Sequence, residues 1–446
     1  MPGTRVLIIV QNLPVPLDRR VWLECQALAA QGYQVSVICP KGPGDRRFQM
    51  LGGVAIYKYT PAPEAGGITG YLVEFVYSWL RTALLSLHVA YRRGFDIIQA
   101  CNPPDTYWLL AWLWRARGVK FVFDQHDLNP ELYLSRFGTP RSLPGRIQYR
   151  GLLWLERMTY RIADRVISTN ESYKAIAVSR GRRNGDHVTV VRSGPDSSVM
   201  RPVYPDPKLR AGADHLLIYL GIMGPQDGVD TVLDVADELI RRRGRSALRV
   251  VLMGFGDCLD DLKRQCTDLG LDDHVVFTGR VGPKEIAQHL SAADVGLGPD
   301  RKSPLNDVST MNKTMEYMSF ALPSVSFNLK ETRVSGGDAA IYVEPGDLAA
   351  FADAVETLLD NPAQRVALGR AARDRVVSDL DWRTQAIAYV SVFDELSERI
   401  PDADRRACWP HAPHPPSGPT ATDLVPLEGA EFDRYIASRS RTPRDA

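Results

Sequence analysis

Between Pro304 and Phe327 a polar loop, Asn306 to Asn312, leads into a short helical pattern, Lys313 to Phe320, and a strand follows Pro323. A helix N-terminus presents unpaired backbone N–H groups and the positive end of its dipole, which together bind phosphate. Thr310, Met311 and Asn312 form the approach; Thr310 or Asn312 has the right chemistry to cap the helix, and Lys313 adds a full positive charge. Glu316 comes one turn in, where a carboxylate accepts hydrogen bonds from ribose hydroxyls. The set fits a nucleotide. It equally fits an ordinary capped helix with Glu316 in solvent, and local features leave both readings open.

A second candidate is the loop Gly221–Gly228, in which Gly221 and Gly224 permit close backbone approach to a ligand. Its spacing matches neither a dinucleotide nor a P-loop fingerprint. Gly254-Phe255-Gly256 and Gly279-Arg280 close two further strands of the same half. In the first half, Asp124, His126 and Asp127 follow the apolar run Phe121–Phe123, and Glu131 stands nearby. A lone histidine is more often structural than catalytic, but flanking carboxylates at a strand end favour a site. Asp18, Arg19 and Arg20 follow the first strand, where a substrate-facing loop belongs, although Asp18 also suits the cap of the helix starting near Arg20.

Such residues need a scaffold that brings strand ends together. Short apolar runs separated by helical patterns indicate βαβ units and a parallel sheet. The first half offers Val6–Val10, Val35–Cys39, Ile97–Ala100, Phe121–Phe123 and Arg165–Ser168. The second restarts with Leu216–Leu220, Leu248–Met253, Val275–Thr278, Val295–Leu297 and Ser324–Phe327. The expected fold is therefore α/β: two tandem doubly wound, Rossmann-like domains facing a cleft, with ligands beyond the carboxyl ends of the strands. The expected boundaries are 1–195 for the first domain, 196–212 for a proline-rich linker, 213–381 for the second domain, 382–400 for a helix crossing back, and 401–446 for a mobile Pro-rich tail.

The 446 residues carry 54 Lys+Arg and 53 Asp+Glu, so a nucleic-acid tail of one sign is excluded. The balance hides an asymmetry, because residues 1–200 hold 25 Lys+Arg against 15 Asp+Glu. Part of that excess, Arg150, Arg157, Arg161 and Arg165, recurs at helical spacing; it reads as a solvated face or as a surface for anionic lipid. The apolar segment Tyr71–Tyr91 contains Glu74, Arg81 and His88 at seven-residue steps, which predicts a mostly buried helix with one wet edge and not a membrane span. The six cysteines form no CxxC pair, so neither a zinc site nor a disulfide framework is expected, and a reducing compartment fits.

Asn312-Lys313-Thr314-Met315-Glu316-Tyr317-Met318 followed by Pro323 resembles the NKxxEYM nucleotide-sugar motif of the retaining GT-B glycosyltransferases of family 4. Tyr219-Leu220-Gly221 with Gln226 and Gly228-Val229-Asp230 resembles the family's diphosphate loop, Gly254-Phe255-Gly256 its GxG loop, and Phe277-Thr278-Gly279 the strand end near the base. His126-Asp127 is similar to the family's strand-end histidine, and Arg192–Asp196 to its linker. The resemblance spans about residues 4–398. Three departures stand out. Val308 replaces the first acid of the E-x7-E pattern, with Asp307 one residue away; Ile222 and Asp227 stand where the diphosphate loop carries Arg and Lys; and Asn12–Pro16 replaces a glycine pair.

The resemblance implies transfer of a sugar from a nucleotide-diphosphate donor, a UDP-sugar for preference, to a glycan or lipid-linked acceptor with retention, in cell-surface polysaccharide synthesis. His126, Lys313 and Glu316 are the implied catalytic residues. The donor would meet Gly221, Gly224, Gly254, Gly256, Arg280, Thr310, Met311, Asn312, Lys313 and Glu316, and the acceptor Asp18, Arg19, Asp127 and Glu131. No metal or other cofactor is expected, no nucleic acid is expected as partner, and the location is cytoplasmic, at most peripheral to the inner membrane face. Two rivals stay open: a nucleotide-sugar epimerase of similar fold, and a non-catalytic module that has lost the charge of its diphosphate loop.

Overall fold

The computed structural model describes residues 3–62, 67–398, 423–427 and 429–438. They form two compact units. One takes the chain up to Ser193 and again from Arg383; the other takes Gly194–Trp382 and the described residues from 423 onward.

The first unit is built on eight strands: β1 (Arg5–Ile9), β2 (Gln34–Pro40), β3 (Phe48–Leu51), β4 (Val54–Tyr59), β5 (Ile97–Cys101), β6 (Lys120–Gln125), β7 (Arg165–Ser168) and β8 (Val188–Val190). Their order is β3-β4-β2-β1-β5-β6-β7-β8, parallel except for the β3–β4 hairpin. Sequence patterning missed the hairpin and β8, whose short or partly polar strands carry little period-two signal. Helices α1 (Arg19–Ala30), α2 (Gly67–Arg92), α3 (Trp108–Arg115), α4 (Asn129–Phe137), α5 (Leu143–Ile162) and α6 (Glu171–Ser179) flank the sheet. Leu7, Ile9 and Ile38 from the sheet share one core with Val89 of α2, Leu110 and Trp114 of α3 and Tyr160 of α5.

The second unit has six parallel strands, β9 (His215–Leu220), β10 (Leu248–Met253), β11 (Val275–Gly279), β12 (Val295–Gly298), β13 (Ser324–Phe327) and β14 (Ile341–Val343), in the order β11-β10-β9-β12-β13-β14. Its helices include α7 (Val229–Asp237), α8 (Leu259–Asp268), α9 (Pro283–Ala292) and α10 (Asn312–Ser319). In each sheet the strand order reverses once, between β1 and β5 and between β9 and β12. Those reversals open the crevices where doubly wound sheets bind ligands.

Several expectations need correction. Residues 196–212 are not a free linker: Val203 is buried, Ser197 bonds Asp381, and a short helical turn spans Pro207–Arg210. The expected mobile tail lies largely outside the described residues, but Gly429–Ser438 is a helix whose Tyr435 and Ile436 pack against Ala321, and Leu424 pairs with Val203. The helix expected to cross back is Trp382–Leu396, and from Arg383 onward it does belong to the first unit. There Tyr33 Oη donates to Asp394 Oδ1 at 2.7 Å and Tyr389 Oη donates to Gln99 Oε1 at 2.5 Å. Arg165 is not on the basic helix at all; α5 ends at Ile162, and Arg165 opens β7 facing Glu395 at 3.3 Å.

Of the reading of Tyr71–Tyr91 as a mostly buried helix, the helix holds and the burial does not. The face of α2 turned to the unit carries Ser78, Thr82, Ser86 and Val89, while Val73, Val76, Leu80, Leu84, Leu87 and Tyr91 are exposed. No helix among the described residues is long and apolar enough to cross a membrane.

Candidate functional site

Two polar centres lie at the strand ends, one in each unit. In the second, the loops after β9, β10 and β11 converge. Gly221 N donates to Met253 O at 3.0 Å, Met223 N to Phe255 O at 2.9 Å, and Gly254 N to Gly279 O at 3.1 Å. Gly254 has φ +150°, and a Cβ there would sit 1.8 Å from Gly221 O, so no other residue fits this crossing without displacing backbone. The glycines therefore serve first to let three loops touch, which presents a patch of backbone along one sheet edge.

Lys313 reaches this patch from the first turn of α10. A Cβ on Gly221 would lie 3.2 Å from Lys313 Cε, and the ammonium stands 5.1 Å from the centre of the Tyr219 ring. Its partner is Asp300, just past β12, at 2.5 Å, with both side chains buried. Burial opposes the charge on Lys313, but Asp300 and then Asp227 outweigh it and hold the ammonium above its usual pKa. Lys313 is thus charged, yet already partnered, which tempers its expected role as the cation that makes up for the missing Arg and Lys. Arg280, by contrast, places its guanidinium 4.6 Å from the Phe255 ring centre, beside the glycine loop.

The rest of the motif sorts by what it touches. The cap position of α10 is Met311, whose side chain makes no capping bond; Thr310 stands one residue outside it and Asn312 is the first helical residue. Tyr317 is structural: its hydroxyl donates to Leu297 O and accepts from Leu220 N, both at 3.0 Å, tying α10 to β9 and β12. Glu316 is half-buried on the same helix. Asp307 does not replace the acid missing at Val308, because it accepts from Lys330 N at 3.0 Å at the start of the next helix. Asp227 has a structural task, accepting from Gly224 N at 2.9 Å to fold the diphosphate-loop turn. Asn306, buried, donates to Gln226 O and Arg301 O at 2.8 Å and pins that loop. Beside the loop is a cavity of about 240 Å³ lined by Gly224, Pro225, Asp230, Asp261 and Arg301.

The centre of the first unit is a buried ion network. Arg20 lies 2.9 Å from Glu24 and 3.1 Å from Asp124. Gln99 Nε2 donates to Glu24 at 2.8 Å and to Asp124 at 2.9 Å. Burial pushes both carboxyls up. For Asp124, Arg20 and His126 outweigh it and hold the group well below its usual range, whereas Glu24, facing Asp124, stays well above. One guanidinium between two buried carboxyls leaves the charge on Asp124 and the proton on Glu24.

His126 Nε2 sits 2.8 Å from Asp124 Oδ2 and 3.2 Å from Arg20 Nε. One nitrogen cannot donate to the first and accept from the second at once; the shorter contact to an ionised carboxylate favours Nε2–H, which leaves Nδ1 as the acceptor. Asn102, after β5, takes the backbone N–H of His126 at 2.7 Å and of Asp127 at 3.1 Å, so the loop is held as well as the ring. Burial raises Asp127, partly opposed by His126.

Other first-unit candidates fall away from this centre. Asp18 accepts from Val21 N at 3.1 Å and is the cap of α1. Glu131 is bound to Arg180 at 2.5 Å, and Arg180 to Glu156 at 2.6 Å, so this carboxylate supports α4–α6 packing. Arg19 is exposed. Sequence reasoning missed Glu24 and Gln99, and it named Arg20 only as part of the loop after the first strand. The available signal was Glu24, which shares the apolar helical face of Val21 and Leu28, where a carboxylate is out of place without a buried partner. Asp300 was equally legible as a polar residue directly after an apolar strand.

Glu24, Cys101, Asp124 and His126 bring their ligand atoms within 4.8 Å of one another, the one such group among the described residues. Arg20 already supplies the cation there, and a divalent ion would face a guanidinium that cannot deprotonate. The residues do not fit a metal.

Comparison with known proteins agrees with this layout. The family model for glycosyl transferases group 1 matches residues 214–361, and the glycosyl transferase 4-like domain matches residues 17–194. The GDP-mannose-dependent alpha-(1-6)-phosphatidylinositol monomannoside mannosyltransferase of Mycolicibacterium smegmatis is 27% identical over 365 residues, which is 72% of this chain and 93% of that protein. The D-inositol 3-phosphate glycosyltransferase of Pseudarthrobacter chlorophenolicus is 29% identical over 54% of this chain and 59% of its own length. Among solved structures, sucrose-phosphate synthase from Thermosynechococcus elongatus superposes with a TM-score of 0.70 at 18% identity, over 89% of this chain and 99% of that one. Anabaena HepE in complex with UDP-glucose gives 0.65 at 16%, over 89% and 100%. At these identities the structures show the fold alone.

Proposed function

The chain belongs to the GT-B glycosyltransferases of family 4, enzymes that use nucleotide-sugar donors, and on that premise we propose that it transfers a hexose with retention to a lipid-linked or glycan acceptor. The observation that carries the donor half is the convergence of Gly221, Gly254 and Gly256 with Lys313 and Arg280 at the strand reversal of the second sheet. Backbone N–H groups, the start of α10, Lys313 and Arg280 would meet the diphosphate and stabilise it as it leaves, an oxyanion-type effect. Glu316 would accept from the ribose hydroxyls. In the first unit, His126, oriented by Asp124 and Asn102, would act on the transferred sugar. No metal is part of this scheme.

The relative that this chain covers almost end to end is named for GDP-mannose, whereas the UDP-sugar likeness rests on fold. GDP-mannose is therefore the first donor to test and UDP-glucose the second. The test is a thermal-shift series with GDP, UDP, ADP and TDP on wild type and Glu316→Ala. Ligand at 100 times its dissociation constant stabilises a native state by about 2.7 kcal/mol. Loss of a hydrogen bond to a charged group costs about 1.5–3 kcal/mol, roughly 10–150-fold in affinity. One nucleotide should shift the wild type, and Glu316→Ala should need correspondingly more of it. No shift with any nucleotide would sink the donor reading. A non-catalytic module would then lead, a reading favoured by Asp227 and by the Asp300 carboxylate on Lys313.

A further inference from the structure

Helix α2 packs Tyr77, Ala83, Leu85 and Ala90 against the core of its unit, beside a stripe of small polar residues. Its packed face presents Ser78, Thr82, Ser86 and Val89; Ser86 Oγ accepts from Trp114 Nε1 at 3.1 Å, and Thr82 meets the Tyr107 hydroxyl at 3.4 Å. Its outward face presents Val73, Val76, Leu80, Leu84, Leu87 and Tyr91, at steps of three and four, with Leu84 61% and Tyr91 87% exposed. A helix that merely covers a core is polar on its outward face. The apolar surface continues sideways. Helix α3, joined to α2 by the Trp114–Ser86 bond, exposes Leu109, Trp112 and Leu113. Helix α5, joined to α3 by the edge-on Trp108–Trp154 pair at 5.7 Å, exposes Ile147 and Trp154. Exposed apolar side chains on three neighbouring helices mark an interaction surface.

The charges on the same layer identify the partner. Arg81 and Arg92 of α2 and Arg146, Arg150, Arg157 and Arg161 of α5 are exposed. Against them, the three helices contain two carboxylates, Glu74 and Glu156, and Glu156 is bound to Arg180. We propose that the outer face of α2, α3 and α5 lies on an anionic lipid bilayer, in the plane of the interface, with the apolar stripe in the acyl boundary and the arginines at the headgroup phosphates. A second copy of the chain fits poorly, because face-to-face pairing would set arginine rims together with almost no acid to meet them. Spanning is excluded for these helices, since none is long and apolar enough. The proposal extends the lipid-linked half of the acceptor reading, and the surface itself stands independently of the donor site.

The test is flotation of the full chain with vesicles of phosphatidylcholine alone and of phosphatidylcholine mixed with phosphatidylglycerol, in dilute buffer and in 1 M salt. Wild type should float with the mixed vesicles in dilute buffer and lose most binding to phosphatidylcholine alone and at a Debye length of about 3 Å. Leu84→Ser with Leu87→Ser should weaken binding at least about tenfold by removing buried apolar surface. Arg150→Gln with Arg157→Gln should cost about fivefold per arginine and abolish the preference for phosphatidylglycerol. These side chains are exposed, so an unchanged melting temperature and nucleotide shift would show that fold and donor site are intact. Wild type that stays with the soluble fraction, or variants that float as well as wild type, would overturn the proposal whatever the nucleotide result. So would a wild-type dimer in sedimentation velocity that Leu84→Ser with Leu87→Ser breaks, which would assign the face to a second copy.

Discussion

The polar centres of the two units are constructed in opposite ways. In the first, Arg20, Glu24, Asp124, Gln99 and His126 satisfy one another, and almost every contact is between side chains. In the second, three glycine loops offer backbone, and the buried charge is a single pair, Lys313 with Asp300. A closed network fixes one ring in one orientation. A backbone cradle is shaped for something that brings its own charge. The difference teaches that substitution should read out mainly as stability in the first unit and mainly as affinity in the second.

The strongest way to break that contrast is Arg20→Met. It leaves Asp124 charged, buried and without its guanidinium, and removal of one partner of a buried pair costs about 3–5 kcal/mol. At about 2–4 °C per kcal/mol for a unit of this size, a melting scan resolves the loss easily. A change within experimental error would mean that the network is not what holds this centre together.

The second unit gives a pair of opposite effects. Asp300→Asn removes the carboxylate that holds Lys313, so nucleoside diphosphate should bind more tightly, by about tenfold if one charged hydrogen bond is released to the ligand. Lys313→Ala should weaken binding by a similar factor and also lower stability, since Asp300 is then stranded. Titration calorimetry on both variants checks the sign. Weaker binding in Asp300→Asn would show that the pair works as one unit and that the cradle is as closed as the network in the first unit.

The smallest effect concerns pH. Burial, opposed by Arg180, pushes Glu156 up to about 7, from an unfolded value near about 4.3. Between those values the native state holds a proton that the unfolded chain has released, so stability falls as pH rises through that window and levels off above it. Asp105, pushed up to about 6 by burial, contributes in the same direction. Glu156→Gln should therefore flatten part of the slope and leave a remainder. Denaturant midpoints from pH 5 to pH 8 measure it, and an unaltered slope would assign the effect to the other raised carboxyls, Glu24, Asp105 and Asp127.

Much of this was legible in the sequence because parallel strands buried on both faces read as apolar runs: all ten predicted strands correspond to observed ones. The glycine loops and the Lys313 motif were legible through their combination and order, since glycine at a strand end is ordinary punctuation and the helix alone left two readings open. What escaped was pairing across distance. That Lys313 faces Asp300, or that Glu131 faces Arg180, depends on rotamers and neighbouring helices, and no local pattern encodes it. Helix α2 misled for a related reason. Its apolar and small polar stripes were both visible, but which one points inward is decided by Trp114 and Tyr107, which come later in the chain.

The return of the chain to the first unit also sets a schedule for its birth. Ala386, Tyr389, Val390 and Phe393 complete the interior around Tyr33 and Gln99, yet they are made some 200 residues after Ser193. At about 5–20 residues per second, a ribosome takes on the order of ten seconds or more to supply them. Until then the first sheet waits with its last helix missing, and the second unit, which takes in the helix Gly429–Ser438, is completed later still. A nascent chain in that interval has a natural need for a chaperone, and a fragment ending at Ser193 lacks a piece of its own core.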